Sequence, residues 1–132
     1  MKQLLLTILV AMSGLVCARA NIHVIVSIRS QTAWLMDHNR IVMTSPVCTA
    51  KRGMHTPTGL FRVSEKAVSH ISTIYHVSMP FYMRLSGRPF GMHAGYLPGY
   101  PASHGCIRMP KNKAAMFFQN VSIGTSVRIL PN

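Results

Sequence analysis

Apolar and polar side chains alternate from Ile22 to Ile28, with Ile22, Val24, Val26 and Ile28 on one side, the period-two pattern of a half-buried strand. The runs Thr32 to Met36 and Arg40 to Val47 flank Asp37-His38-Asn39, whose short polar side chains favour a turn, so these three segments predict an N-terminal meander. Gly53, Pro57 and Gly59 then force a loop before a strand near Leu60 to Val63. Lys66 to Ile74 has no clear period. Strands are expected at Tyr75 to Met79, Phe81 to Leu85 and Phe90 to His93, separated by Pro80 and by Ser86-Gly87-Arg88. From Pro110 to Val121 the period changes: Ala114, Phe117, Phe118 and Val121 follow the i, i+3, i+4, i+7 rule behind a proline suited to a first helical position, and Gly124 is expected to close this helix. "TSVRIL" reads as a last strand with Val127 and Ile129 facing one way. Many short strands and one helix in the C-terminal half predict a mostly-β, small single-domain sandwich or barrel.

The first residues break this pattern. "MKQLLLTILVAMSGLVCARA" has a lysine at Lys2, an apolar run from Leu4 to Val10 that weakens towards Val16, and a small-x-small ending, Ala18-Arg19-Ala20. Residues 1–20 are therefore expected to be a secretory signal peptide cleaved before Asn21, leaving a domain over residues 21–132. A retained anchor is the weaker expectation, because a comfortable span takes roughly 20 apolar residues. Lipidation at Cys17 is disfavoured by Val16, which stands where a small residue is wanted. No appended wall-binding domain is expected in a chain of 132 residues.

Charge narrows the partners. The whole chain carries 14 Lys and Arg against 2 Asp and Glu, a formal +12, and losing Lys2 and Arg19 with the leader leaves an exported domain that is still strongly cationic. Such a balance suits an anionic polymer or surface, and a bacterial envelope in the periplasmic or wall compartment fits. Export and the lack of any recognition-helix, zinc-finger or aromatic RNA-binding signature argue against nucleic acid.

The candidate chemistry lies in "GMHAGYLPGYPASHGCIRMP", Gly91 to Pro110, where two histidines and a cysteine share a Gly/Pro-rich stretch without an acid. Cys106 could be half of a disulfide with Cys48, a metal ligand, or a nucleophile. An even cysteine count after leader removal suggests a bridge, but the apolar pattern promises a core that needs no staple. His93, His104 and Cys106 could supply three zinc ligands, yet the close CxxC or HxxxH pairs usual for zinc are missing, so no metal is expected. Asp37 and Glu65 are the only carboxylate side chains in the chain, which rules out multi-carboxylate Mg²⁺ or Ca²⁺ sites and leaves little support for a paired-carboxylate glycosidase.

What remains is a thiolate with an imidazole base, oriented by a backbone carbonyl rather than an aspartate. Arg84, Arg88, Arg108, Lys111 and Lys113 bracket the stretch, so the Cys106 thiol is expected to titrate below its usual range, and the two lysines are expected in an anion-attracting rim. Gly105 allows a sharp turn in which its N–H and that of Cys106 face a developing oxyanion. His104 adjoins Cys106 and would point away from it on an extended strand, so His93, upstream on the expected neighbouring strand, is the better-placed base.

These residues resemble the L,D-transpeptidase catalytic domain family of the YkuD type. The likeness rests on "GMHAGYLPGYPASHGCIRM", on "HTPTGLFRV" from His55 to Val63, on "VSMPFYMRL" and on "VSIGTSVRIL", and so covers roughly Ile22 to Leu130. The resemblance implies a β-rich envelope enzyme that needs no cofactor, with Cys106 as nucleophile and His93 as general base. It implies further that Ala94 orients His93 through its carbonyl, that His104, Gly105 and Cys106 form the oxyanion side, and that Arg108, Ser103 and Tyr82 meet substrate, Ser103 also bracing its loop. The implied donor is a peptidoglycan tetrapeptide stem, cleaved between diaminopimelate and D-alanine and passed to an amine acceptor; carbapenems would acylate the same sulfur. Water as acceptor would make the protein an L,D-carboxypeptidase. A noncatalytic cationic wall-binding domain stapled by Cys48 and Cys106 is the alternative of another class.

Overall fold

A computed structural model describes residues 20–131. The expected leader, apart from Ala20, lies outside the described residues. Among those residues eight strands form one sheet in the order β3-β2-β1-β8-β4-β5-β6-β7, with a single helix. The strands are β1 (Ile22–Ser27), β2 (Thr32–Asp37), β3 (Arg40–Pro46), β4 (Gly59–Ala67), β5 (Tyr82–Leu85), β6 (Gly91–Ala94), β7 (Ile107–Met109) and β8 (Ser126–Leu130), and the helix is α1 (Lys111–Asn120). Also among them, no helix is long and apolar enough to cross a membrane.

The meander β1-β2-β3 is antiparallel, turning at His38, which adopts a left-handed φ of 53°. β8 then lies parallel to β1 on one side and antiparallel to β4 on the other, joining the N- and C-terminal halves. Past β3 the chain crosses to the far edge of the sheet: Cys48 and Arg108 exchange backbone hydrogen bonds of 2.9 Å each way, and Ala50 bridges Ser103. The two ends of the sheet are thereby brought together into a nearly closed barrel, which removes most of the unpaired edge.

Alternation sets the core. Val24 and Val26, Ala33 and Leu35, Phe61 and Val63, Met83 and Leu85, Met92 and Ala94, Ile107 and Met109, Val127 and Ile129 all turn inward. Helix α1 packs Ala114 and Phe117 into the same core and lies against β6.

Three expectations need correction. Tyr75 to Met79 is not a strand: His76 takes a left-handed φ of 54°, only Ile71 and Ser78 form a bridge, and Ile74, Tyr75 and Val77 are exposed. These apolar residues belong to a covering loop, not to a sheet face. Pro110 is the N-cap of α1 rather than its first residue, and the helix ends where the Val121 N–H bonds to the Phe117 carbonyl; Gly124, with φ +94°, serves the following turn. β7, at Ile107–Met109, lies outside the strands that the apolar pattern predicts.

Candidate active site

The outer face of β5, β6 and β7 forms the floor of a cleft. Because Met83 and Leu85, Met92 and Ala94, and Ile107 and Met109 point into the core, Tyr82 and Arg84, Gly91 and His93, and Cys106 and Arg108 must point the other way. β6 pairs antiparallel with β5 (Arg84 opposite Gly91) and parallel with β7 (Met92 opposite Ile107, His93 opposite Arg108). Continuing that register by one residue sets Gly91 beside Cys106, so one row runs Arg84, Gly91, Cys106 and the next runs Tyr82, His93, Arg108. The missing side chain at Gly91 leaves a notch in the first row, and its backbone N–H favours the Cys106 thiolate. The segment from His70 to Met79 partly roofs this floor, and the open cleft between them measures 360 Å³.

His93 is 5% exposed, and its Nδ1 lies 2.7 Å from the Ala94 carbonyl oxygen. A carbonyl only accepts, so Nδ1 carries the proton and Nε2 is left as the free base. Burial, opposed by that hydrogen bond, lowers the His93 pKa below 6.5; the positive charges of Arg108 and His70 act in the same direction as burial. The ring is backed by Tyr82, whose centroid is 6.4 Å away and which itself stacks on His70 at 4.2 Å. Tyr82 is 2% exposed, so it walls the cleft more than it offers a surface; burial, with the nearby Cys106 charge, pushes its hydroxyl up to about 12.

The Cys106 thiol reverses an expectation. Desolvation raises its pKa above the ordinary 9.0, against the pull of the Gly91 N–H, Arg108 and Arg84. Positive charge is present where the sequence put it, but burial outweighs it. Burial thus favours the neutral thiol of Cys106 and the neutral imidazole of His93.

The turn before Cys106 is tightly held. The Ser103 hydroxyl donates to the Cys106 carbonyl at 2.6 Å and accepts the Gly105 N–H at 3.1 Å, while Thr56 donates to the Gly105 carbonyl at 2.8 Å. Ser103 is 1% exposed and its hydroxyl is spent on this brace, so it is not free for substrate. The Gly105 N–H is likewise engaged; among the described residues the N–H groups of His104 and Cys106 are the ones left without a partner on the oxyanion side. Gly105 adopts φ +143°, and a Cβ there would stand 3.0 Å from the His55 carbonyl. His104 turns outward and stacks on Tyr75 at 4.1 Å, tying the roof to the loop before Cys106.

Arg108 lines the cleft with its guanidinium near the Tyr96 and Ala102 carbonyls, both at 3.4 Å. Lys111 and Lys113 lie on α1 and take no part in lining the cleft; the cationic rim is made by Arg84, Arg88 and Arg108. Cys48 and Cys106 are both free thiols, and the buried Cys48 donates to the Tyr100 carbonyl at 3.4 Å, which removes the expected staple of the noncatalytic alternative. Among the described residues no three His, Cys, Asp or Glu side chains are arranged to hold a metal ion. Asp37 bonds to the Asn21 N–H and His38, and Glu65 to Arg84, so neither carboxylate faces His93. Gly91, Thr56, His70 and Tyr75 were not singled out from the sequence. For Gly91 a signal existed, a glycine two residues before His93.

One cleft of a barrel-like sheet is thus lined by both a cysteine and a carbonyl-anchored histidine, the two groups that nucleophilic thiol chemistry requires. The family model for the L,D-transpeptidase catalytic domain (YkuD) matches residues 21–129, and the chain belongs to that family. It is 32% identical over 113 residues to the putative L,D-transpeptidase YkuD of Bacillus subtilis, covering 81% of this chain and 65% of that one. An L,D-transpeptidase from Mycobacterium smegmatis superposes with a TM-score of 0.78 at 20% identity, over 85% of this chain and 59% of that one. L,D-transpeptidase 3 from Mycobacterium tuberculosis, solved with a faropenem-derived adduct, gives 0.74 at 21% identity, over 85% and 61%. The chain thus spans about two thirds or less of the length of these relatives.

Proposed function

We propose that this protein is an exported L,D-transpeptidase that uses Cys106 as nucleophile and His93 as base on peptidoglycan stem peptides. The observation that carries the reading is the hydrogen bond from His93 Nδ1 to the Ala94 carbonyl, which turns the basic Nε2 toward a cleft that Cys106 also lines. His93 Nε2 takes the Cys106 proton as sulfur attacks the carbonyl carbon on the L-centre side of the bond to D-alanine. The tetrahedral oxyanion meets the unpartnered N–H groups of His104 and Cys106. Collapse breaks the C–N bond, His93 returns the proton to the departing amine, and D-alanine leaves a thioester on Cys106. An amine of a second stem then attacks the thioester, giving up its proton through His93, and the restored thiol ends the cycle.

The cationic rim supports an anionic peptide substrate, and the apolar roof supports exclusion of water from the thioester, which favours transfer over hydrolysis. Export and envelope location remain part of this proposal and rest on the N-terminal pattern alone. The test is incubation of the folded, reduced protein with disaccharide-tetrapeptides followed by mass spectrometry. Cross-linked dimers with released D-alanine are expected. Tripeptides alone would instead indicate water as acceptor, and an unchanged mixture would overturn the reading.

A further inference from the structure

We infer that the Arg88 guanidinium is a carboxylate-recognition point at the rim of the cleft, and that it makes the protein prefer donor peptides bearing a free carboxylate over the same peptides amidated there. The inference rests on the reading of the cleft as a peptide-donor site. No carboxylate side chain lines the cleft, while three arginines do. Two of the three are occupied. Arg84 Nε lies 2.8 Å from Glu65 Oε2, and its terminal nitrogen donates to the Arg88 carbonyl at 3.2 Å. Arg108 is turned to the carbonyls of Tyr96 and Ala102. Among the described residues the Arg88 guanidinium has no hydrogen-bond or ion-pair partner.

Arg88 is nevertheless held in place. Ser86 and Gly87 both take left-handed φ, 48° and 66°, and the Arg88 N–H closes the turn on the Leu85 carbonyl at 2.9 Å. Its guanidinium rests 5.7 Å from the ring centroids of both Phe61 and Phe90, which themselves pack edge to face. Aromatic support limits the rotamer freedom that binding would otherwise remove. Glu65, a natural competitor, is held by Arg84 one strand away. A fixed cation without a counter-ion, presented to a cleft without acids, is matched by a carboxylate, which accepts the planar fork of arginine through two parallel hydrogen bonds. An amide offers one acceptor oxygen and no charge.

A stem donor has two candidate carboxylates: the side-chain carboxylate on the acyl residue and the C-terminal carboxylate of the leaving residue. Calorimetric titration of the Cys106→Ala protein, which holds peptide without turnover, separates them with three synthetic tetrapeptides: free acid, C-terminal amide, and side-chain amide. One amide is expected to bind about fivefold to tenfold more weakly than the free acid, as fits a partly exposed pair. Adding Arg88→Gln should abolish the difference by weakening the free acid alone, and Arg88→Lys should restore part of it, with circular dichroism verifying the fold. Equal binding of all three peptides, a preference that survives Arg88→Gln, or no binding of any peptide overturns the inference. If the preference is found but the unmutated protein releases no D-alanine from stems, the proposed activity fails and the carboxylate point stands.

Discussion

Gly91 and Cys106 stand one residue before the first rung of the β6-β7 pair, and the N–H of the glycine favours the thiolate of the cysteine. The same glycine is pressed against β5, where a Cβ would stand 2.2 Å from the Met83 carbonyl oxygen. Backbone cannot yield as a side chain can. Gly91→Ala is therefore expected to force β5 and β6 apart, destabilising the protein by about 1–3 kcal/mol in the manner of overpacked cores. It should also reduce the rate of Cys106 alkylation by iodoacetamide at high pH, since the donor that favours the thiolate moves away. A melting temperature and an alkylation rate matching the unmutated protein would remove Gly91 from the site.

His93 and Cys106 shift in opposite directions, which sets the pH profile expected of the proposed mechanism. His93 titrates below 6.5 and Cys106 above 9.0, each because burial penalises its charged form. kcat/KM should stay flat from the acid limb of a depressed histidine, below pH 6.5, to well above neutrality. A bell centred on a low-pKa thiolate is not expected. Stability follows the same groups. Below pH 6.5 the unfolded chain binds a proton that folded His93 refuses, so stability falls with pH there; above pH 9.0 the unfolded chain loses a proton that folded Cys106 keeps, so stability falls as pH rises. Alkylation kinetics between pH 5 and 10 measure the thiol directly, and an apparent pKa below 8 would overturn the burial argument.

Local pattern located much of this architecture. Val24 and Val26, Val127 and Ile129, and Ala114 and Phe117 are buried as their periods require, because each element carries its own inward face. β7 carries no such face. Three residues with an arginine in the middle are a strand only because β6 lies on one side and Cys48 bonds on the other. The opposite error at Tyr75 to Met79 has the same origin: an apolar run became a roof because the floor beneath it was a cleft, which no local count of apolar residues reveals. His93 and Cys106 were legible as residue types, and the Ala94 carbonyl as a role implied by resemblance. The direction of the thiol shift was not, since charge is counted along a sequence and burial is not. Ser103 was legible as a brace; that it consumes the Gly105 N–H follows from the fold of the turn, not from its composition.

That brace can be tested separately. Ser103→Ala removes the acceptor of the Gly105 N–H and the donor to the Cys106 carbonyl, both inside the protein. Leaving a buried N–H unsatisfied costs about 1–3 kcal/mol, so the melting temperature should fall by roughly 4–8 °C per kcal/mol in a domain of this size. kcat should fall with it, because the His104 and Cys106 N–H groups proposed to meet the oxyanion lose their fixed spacing. Thermal unfolding and steady-state rates on one preparation decide the matter; unchanged values for both would mean the loop holds itself.

On the proposed mechanism Cys106 and His93 act on one proton, so the losses on removing them should not add. Cys106→Ala deletes the atom that becomes the thioester, so no acyl-enzyme mass should appear with a stem peptide or a carbapenem. His93→Gln keeps a polar group of similar reach but supplies no base, and the loss in kcat/KM should be about 10²–10⁴-fold, the usual contribution of a positioned general base. Raising the pH above 9.0 should return part of the His93→Gln loss, because the thiol then ionises without help. The double variant should be no worse than Cys106→Ala alone, since the base has nothing left to deprotonate. Independent, multiplying losses measured by D-alanine release would mean that His93 serves a step other than activation of the sulfur.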